Sequence, residues 1–231
     1  MTPWTPTAPE DEAATAHERV YRRLRGAILA GTLAPGQALT LRGLAADMDT
    51  SMTPAREAVR RLAAERALAL TPSGRITVPL PDAARLDELF EARRLLEPAL
   101  ARRAALAAAR ARTARALAEV LAAHDDALAQ AVEAGDGAGY VAANAAFHGT
   151  LYRVAEAPAL MALVESIWLQ STPVMRRVYG VVGTRALEDH HAAAIAALRR
   201  DDAEALADAI ERDVAQGAAL AAEAALDPDS L

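Results

Sequence analysis

The sequence predicts a mainly α protein in two parts: three short helices closed by a β-hairpin, then an all-α antiparallel bundle of about six helices. Three observations lead there. Apolar residues make up 53% of the chain but aromatics only 3%, so the apolar content is mostly Ala and Leu, both strong helix formers. Helix breakers and capping residues divide the chain into amphipathic stretches of helical period. Strand character is confined to two short runs either side of Gly74. At 231 residues the chain is long enough for two compact domains, each with its own core.

The elements follow in order. Residues 1–16, rich in Pro, Thr and acids, are expected to form a disordered tail. They have neither a basic start nor an apolar centre, so they do not read as a signal peptide. From His17 to Ala30, Val20, Leu24, Ala27 and Ile28 recur at helical spacing. Gly31 stops that helix and Ala34-Pro35-Gly36 turns the chain. Thr40 can cap a second helix, 41–48, that buries Leu44, Ala45 and Met48. After an Asp49-Thr50-Ser51 turn, Thr53 and Pro54 read as N-cap and first residue of a third helix running to about Arg66. It turns Ala55, Val59 and Leu62 inward and Arg56 and Arg60 outward. Residues 68–71 and 75–78 make the hairpin, with Gly74 at its turn. Three helices plus a β-hairpin over 17–79 is the winged helix-turn-helix plan, whose third helix enters the DNA major groove.

Pro79-Leu80-Pro81 is stiff, and residues 80–82 form the linker. Beyond it the expected helices are 83–109, 113–134, 137–156, 158–180, 184–200 and 202–225. Asp82, Thr113, Asp136, Thr184 and Asp201 or Asp202 are the start signals; Gly135, Pro158 and Gly183 are the breakers. Short connections imply antiparallel neighbours. The helical domain spans 83–226 and a short tail, 227–231, ends the chain.

Charge separates the two parts. Residues 17–79 hold ten Arg against five acids, and residues 80–231 hold 15 Arg against 23. A basic unit on an acidic one suits a nucleic-acid reader joined to a sensor, or a chance division of surface charge. No cysteine is present, which excludes disulfides and thiolate metal sites. No run reaches the roughly 18 apolar residues of a membrane helix, so a cytoplasmic protein without membrane contact is expected.

Residues 20–78 resemble the winged-helix domain of GntR-type regulators. The resemblance rests on Leu24-Arg25 through Ile28, Gly31-Thr-Leu-Ala-Pro-Gly36, Leu44-Ala45, Ser51-Met-Thr-Pro-Ala-Arg-Glu-Ala-Val-Arg-Arg-Leu62 and Gly74. Residues 83–225 are similar to the helical sensor (FCD-type) domain of the FadR branch. There the landmarks are Glu91-Ala-Arg-Arg-Leu-Leu-Glu-Pro98, Asn144-Ala-Ala-Phe-His148 and His190-His191 followed by Asp202. Six sensor helices place it nearer the VanR-type subgroup.

The resemblance implies a homodimer on an inverted-repeat operator, controlled by a small carboxylate metabolite in the helical domain. By position it puts DNA contacts on Arg42, Ser51, Met52, Thr53, Arg56 and Gly74. The residue chemistry agrees for most of them. A guanidinium near the start of a recognition helix can grip guanine O6 and N7, and Ser51 and Thr53 can donate to phosphates beside helix N-terminal amides. Glu57 is an alternative salt-bridge partner for Arg56 and Arg60. Met52 stands where relatives often carry Arg, and Asp49 where they carry a turn Gly.

In the sensor domain the resemblance implies a divalent metal (zinc, nickel or manganese) on Asn144, His148, His191 and Asp213. Asn144 and His148, four apart, share one helix face, and Asn and Asp stand where the family has Asp and His. The two histidines can instead bind the effector directly, with Arg93 as its carboxylate partner; Arg176 and Arg177 are further candidates. His17, His124 and His190 read as surface residues. The expected function is a metabolite-responsive repressor, because a blocker released by ligand needs no polymerase contact. The competing readings are an all-helical metal-dependent hydrolase and a protein-interaction bundle. There is no Gly-rich phosphate loop, nucleophile elbow or HExxH, so an enzyme is not expected.

Overall fold

The computed structural model describes residues 15–71, 74–182 and 189–225. Except for Thr15 and Ala16, the expected tails lie outside these residues, as do Pro72-Ser73 and the Gly183 and Thr184 signals. The elements are α1 (Ala16–Leu29), β1 (Ala38–Leu39), α2 (Leu41–Asp47), α3 (Met52–Ala64), β2 (Ala69–Leu70), β3 (Ile76–Thr77), α4 (Ala83–Ala111), α5 (Ala114–Ala134), α6 (Gly137–Arg153), α7 (Pro158–Val182), α8 (His190–Arg199) and α9 (Ala203–Ala225).

The N-terminal unit closes around Leu24, Ile28, Val59, Leu62 and Ile76, all nearly or fully buried. Thr40 caps α2 by accepting from Gly43 N–H at 3.0 Å. α3 begins two residues earlier than expected: Ser51 is the N-cap and Pro54 falls at the third helical position. A proline is tolerated there because the first four helix N–H groups lack intrahelical acceptors in any case. Asp49 takes the left-handed turn conformation, with φ 47°. The sheet has three strands in the order β1-β3-β2, all antiparallel, with Leu39 opposite Ile76 and Leu70 opposite Ile76 on its other side. β1 was not expected, since two residues carry no periodicity; β3 supplies its partner.

In the bundle, α4 packs on α9 and α7, α5 on α6 and α8, and α8 on α9. Asp82, Asp136, Asp189 and Asp202 each accept a backbone N–H in the first turn of the helix they precede. Within the described residues Asp189 is the N-cap of α8, and Asp202 caps the first turn of α9. α4 runs two residues past its expected end to an Arg112 with φ 56°. α6 ends at Arg153, three residues early, ahead of a Glu156 with φ 50°. Leu100, Leu121, Phe147, Leu151, Leu198 and Ile210 form the fully buried centre.

The two units meet where α1 lies against α7. Leu169 of α7 is 1% exposed and belongs to the core of the N-terminal unit. One turn earlier, Glu165 pairs with Arg25 of α1 at 2.5 Å.

Candidate metal and effector site, and the DNA-reading face

Three helices bring one constellation together. His148 lies on α6, His191 is the second residue of α8, and Asp213 lies midway along α9. His148 Nε2 is 3.1 Å from Asp213 Oδ2 and 3.4 Å from His191 Nε2, which is 3.7 Å from Asp213 Oδ1. Both histidines are buried.

The far sides of the rings decide their tautomers. The Tyr152 hydroxyl gives its one proton to Glu97 Oε2 at 2.8 Å, so its oxygen accepts from His148 Nδ1 at 3.0 Å. His191 Nδ1 donates to Asp125 Oδ1 at 3.1 Å. Phe147 stacks on the His191 ring, centroids 3.8 Å apart and planes 7° from parallel. With both Nδ1 protons committed, both Nε2 lone pairs face the Asp213 carboxylate. Such a cluster needs a cation between its members: a proton shared with Asp213, or a metal ion.

The donors fit a metal. Partners on the remote ring nitrogen are what orient metal-binding histidines. A tetrahedral ion with bonds of about 2.0–2.2 Å spaces neighbouring donors roughly 3.3 Å apart, close to the distances observed. Two imidazoles and a carboxylate suit zinc, nickel or manganese and leave a coordination position open.

Burial pushes the Asp213 carboxyl up, but the hydrogen bond and charge of His148, with His191 and Arg93, hold it far below the usual range. Burial pushes His191 down; its bond to Asp125 and the carboxylates of Asp213, Asp125 and Asp189 more than offset this and leave it raised. Burial likewise opposes the ionised form of Glu97, yet Arg93 and His148 keep its pKa below the ordinary value.

Two cavities of opposite character flank the cluster. On one side a chamber of about 30 Å³ is lined by Arg93, Val141, Asn144, Ala145, His148, Trp168, Thr172 and Met175. Arg93 is buried there, its Nε donating to Glu97 Oε1 at 2.6 Å. On the other side a cavity of about 280 Å³ includes Asp125, Glu133, Asp189, His190, His191 and Asp213 in its lining. Asn144 thus joins Arg93 and His148 around the smaller chamber.

The expected DNA contacts Arg42, Ser51, Met52, Thr53, Arg56 and Gly74 are all exposed. They lie at the start of α2, on the first turns of α3 and at the wing. Gly74 has φ 81° and open space where a Cβ would project. Among the described residues Arg42 and Arg56 make no ion pair. Glu57 faces His17 at 3.9 Å rather than Arg56 or Arg60. Arg61, by contrast, binds Glu18 at 2.9 Å and lies 3.6 Å over the Tyr21 ring, and so serves the fold.

Comparison with known proteins decides the family. Residues 16–78 match the model for bacterial regulatory proteins of the gntR family, and residues 88–216, over half the chain, match the FCD domain. The chain belongs to the GntR family and carries an FCD domain. It is 30% identical over 204 residues to the HTH-type transcriptional regulator McbR of Escherichia coli (strain K12), covering 85% of this chain and 90% of that one. The solved structure of E. coli McbR/YncC superposes with a TM-score of 0.80 at 28% identity, covering 91% and 98% of the two chains. A GntR regulator from Rhodococcus sp. RHA1 shares the fold, with a TM-score of 0.70 at 22% identity over 91% and 99%. This GntR-family chain is a transcriptional regulator, not an enzyme, with an effector-binding FCD domain. Among the described residues no helix is long and apolar enough to cross a membrane.

Sequence reasoning missed four residues of the FCD site: Glu97, Asp125, Tyr152 and Trp168. Glu97 and Tyr152 were findable, each standing four residues after Arg93 or His148 on the same helix face. Asp125 and Trp168 carry no local signal, because only the packing of α5 and α7 brings them in. Two surface assignments are corrected. His124 is half-buried and hydrogen-bonds Thr150 at 3.2 Å, and His190 is half-buried in the acidic cavity wall. The side chains of Arg176 and Arg177 lie outside the described residues.

Proposed function

We propose that this chain is a metabolite-responsive repressor that works in the cytoplasm as a homodimer on an inverted-repeat operator, and that it belongs to the VanR-type subgroup. The observation that carries the sensing half is the buried meeting of His148, His191 and Asp213, with every remote ring nitrogen already bonded. In this reading they hold a divalent metal (zinc, nickel or manganese), with Asn144 beside them. When bound, the ion supplies positive charge for an effector oxygen. Arg93 supplies a second cation on the same side, so a small carboxylate is the favoured effector. Residues 17–79 are the DNA-binding unit, 80–82 the linker and 83–226 the sensing and dimerisation unit. Base and phosphate contacts are assigned to Arg42, Ser51, Met52, Thr53, Arg56 and Gly74. Two copies related by a two-fold axis match a palindromic site. Leu95 and Leu106, 72% and 51% exposed and three turns apart on one side of α4, offer apolar surface for the pairing.

The test is a mobility shift on the DNA upstream of the chain's own gene, with zinc-loaded protein and a panel of one- to six-carbon acids. A specific shift weakened by at least one acid is expected. No specific shift, with or without acids, would remove the repressor reading.

A further inference from the structure

Outside the sensing site the two units enclose a cleft of about 750 Å³. Its lining cations Arg22, Arg25 and Arg61 are paired with glutamates, which leaves the exposed Arg153 as a lone surface cation and no built site. The helix that borders it, α7, carries more.

Consecutive residues of α7 serve different parts of the molecule. Trp168 lines the Arg93 chamber and donates its indole N–H to Glu97 Oε1 at 2.8 Å. Leu169 is buried in the core of the DNA-reading unit, in the same cluster as Leu24 and Ile28 of α1. Thr172 and Met175, four and seven residues after Trp168, continue the chamber wall along one helix face. Pro173 lies within the helix; it has no N–H for the Leu169 carbonyl, so α7 lacks a backbone bond between its two attachments. The chamber, about 30 Å³, offers about one water molecule's share of volume. A carboxylate of two or more carbons enters only if a wall moves.

We propose that α7 is the moving wall: an effector filling the Arg93 chamber displaces Trp168 and Thr172, and Leu169 carries that displacement into the winged helix. The inference rests on the chamber being the effector's seat, as read above. Leu169 is then a positioning residue that touches neither effector nor DNA. The route is short: chamber, Trp168, Leu169, α1. The adjoining cleft leaves α1 and α7 unpacked along part of their length, so the displacement meets little resistance there. Packed elements with two discrete arrangements are the means by which small shifts at one site reach another.

The test needs no effector. Val141 lines the chamber from α6, and Val141→Phe fills it permanently. Operator affinity of the full chain, zinc-loaded, is measured for Val141→Phe, Leu169→Ala and the double variant. Independent structural damage at two separate sites adds; the relay predicts that it does not. Val141→Phe alone is expected to weaken operator binding at least fivefold. Once Leu169 is truncated, the same filling should change it less than twofold. Amide hydrogen exchange across Val20–Ile28 should rise in Val141→Phe and revert toward the Leu169→Ala level in the double variant. Additive effects within twofold, or unchanged operator affinity with the chamber filled, overturn the relay. Where a variant fails to fold, Val141→Leu and Leu169→Val replace it with smaller expected effects and the same criterion. A null cycle in a protein that still responds to acids sinks the relay alone; a coupled cycle without any response to acids sinks the carboxylate reading alone.

Discussion

Arg56 stands exposed on the second turn of α3 with no acidic partner among the described residues, while Arg61, five residues on, is held by Glu18 and stacked on Tyr21. The two arginines therefore fail differently. Arg56→Ala is expected to cost about 1–3 kcal/mol of specific operator binding with an unchanged urea midpoint. Binding isotherms on the operator check this, and unaltered affinity would mean the reading face is misplaced. Glu97 carries the opposite kind of role. It is fully buried and holds Arg93, Tyr152 and Trp168. Its removal leaves Arg93 a buried charge without its partner. Glu97→Ala should destabilise the helical domain by about 3–5 kcal/mol, read by urea unfolding. The pH dependence follows from the shift directions. Glu97 sits below its ordinary 4.5, so its contribution is present above that pH and fades as the pH falls through the lowered value. His191 sits above its ordinary 6.5, so its contribution is full below that pH and fades as base rises through the raised value. Metal-free protein should lose urea midpoint in both directions from pH 5–6, and a flat profile through pH 4 would contradict the Glu97 assignment.

At the scale of elements, aspartate caps set the bundle. Asp82 accepts from Arg85 N–H at 2.8 Å where the linker becomes α4. Asp82→Ala should cost about 1 kcal/mol, measured as a shift in thermal midpoint; no shift would show that packing on α9 alone fixes the α4 start. The same elements show what a sequence can reveal. Amphipathic stretches and caps made all six bundle helices and the three helices of the reader legible, because their signals are local. Gly74 and Asp49 were legible for the same reason, each being demanded by a left-handed turn. β1 was not, since two residues acquire strand identity only from Ile76 and Thr77 opposite. Asn144 and His148 announced a shared face by spacing, and His191 and Asp213 followed through family likeness. Asp125 and Trp168 stayed hidden, because the neighbours that give them a role are 66 and 71 residues away.

Over the whole molecule, charge and sensing are divided between the two units. The DNA-reading part has five more arginines than acids and the sensor eight more acids than arginines. Operator binding should therefore weaken steeply with salt, log affinity falling by about 0.9 per phosphate neutralised for each unit of log salt. Arg42→Ala should lower that slope by about one where it meets a phosphate; an unchanged slope would assign Arg42 elsewhere. The acidic cavity beside His191 attracts cations, whereas the chamber beside the Arg93–Glu97 pair holds no net acid in its lining. A cation between His148, His191 and Asp213 would join those two halves, and the proposed sensing chemistry depends on it.

Calorimetric titration of metal-free, full-length protein with zinc near neutral pH tests that dependence most directly. One ion per chain is expected, with proton release as the metal takes the place of protons on its ligands, and no binding in His148→Ala. A stoichiometry near zero, or equal binding in His148→Ala, would contradict it.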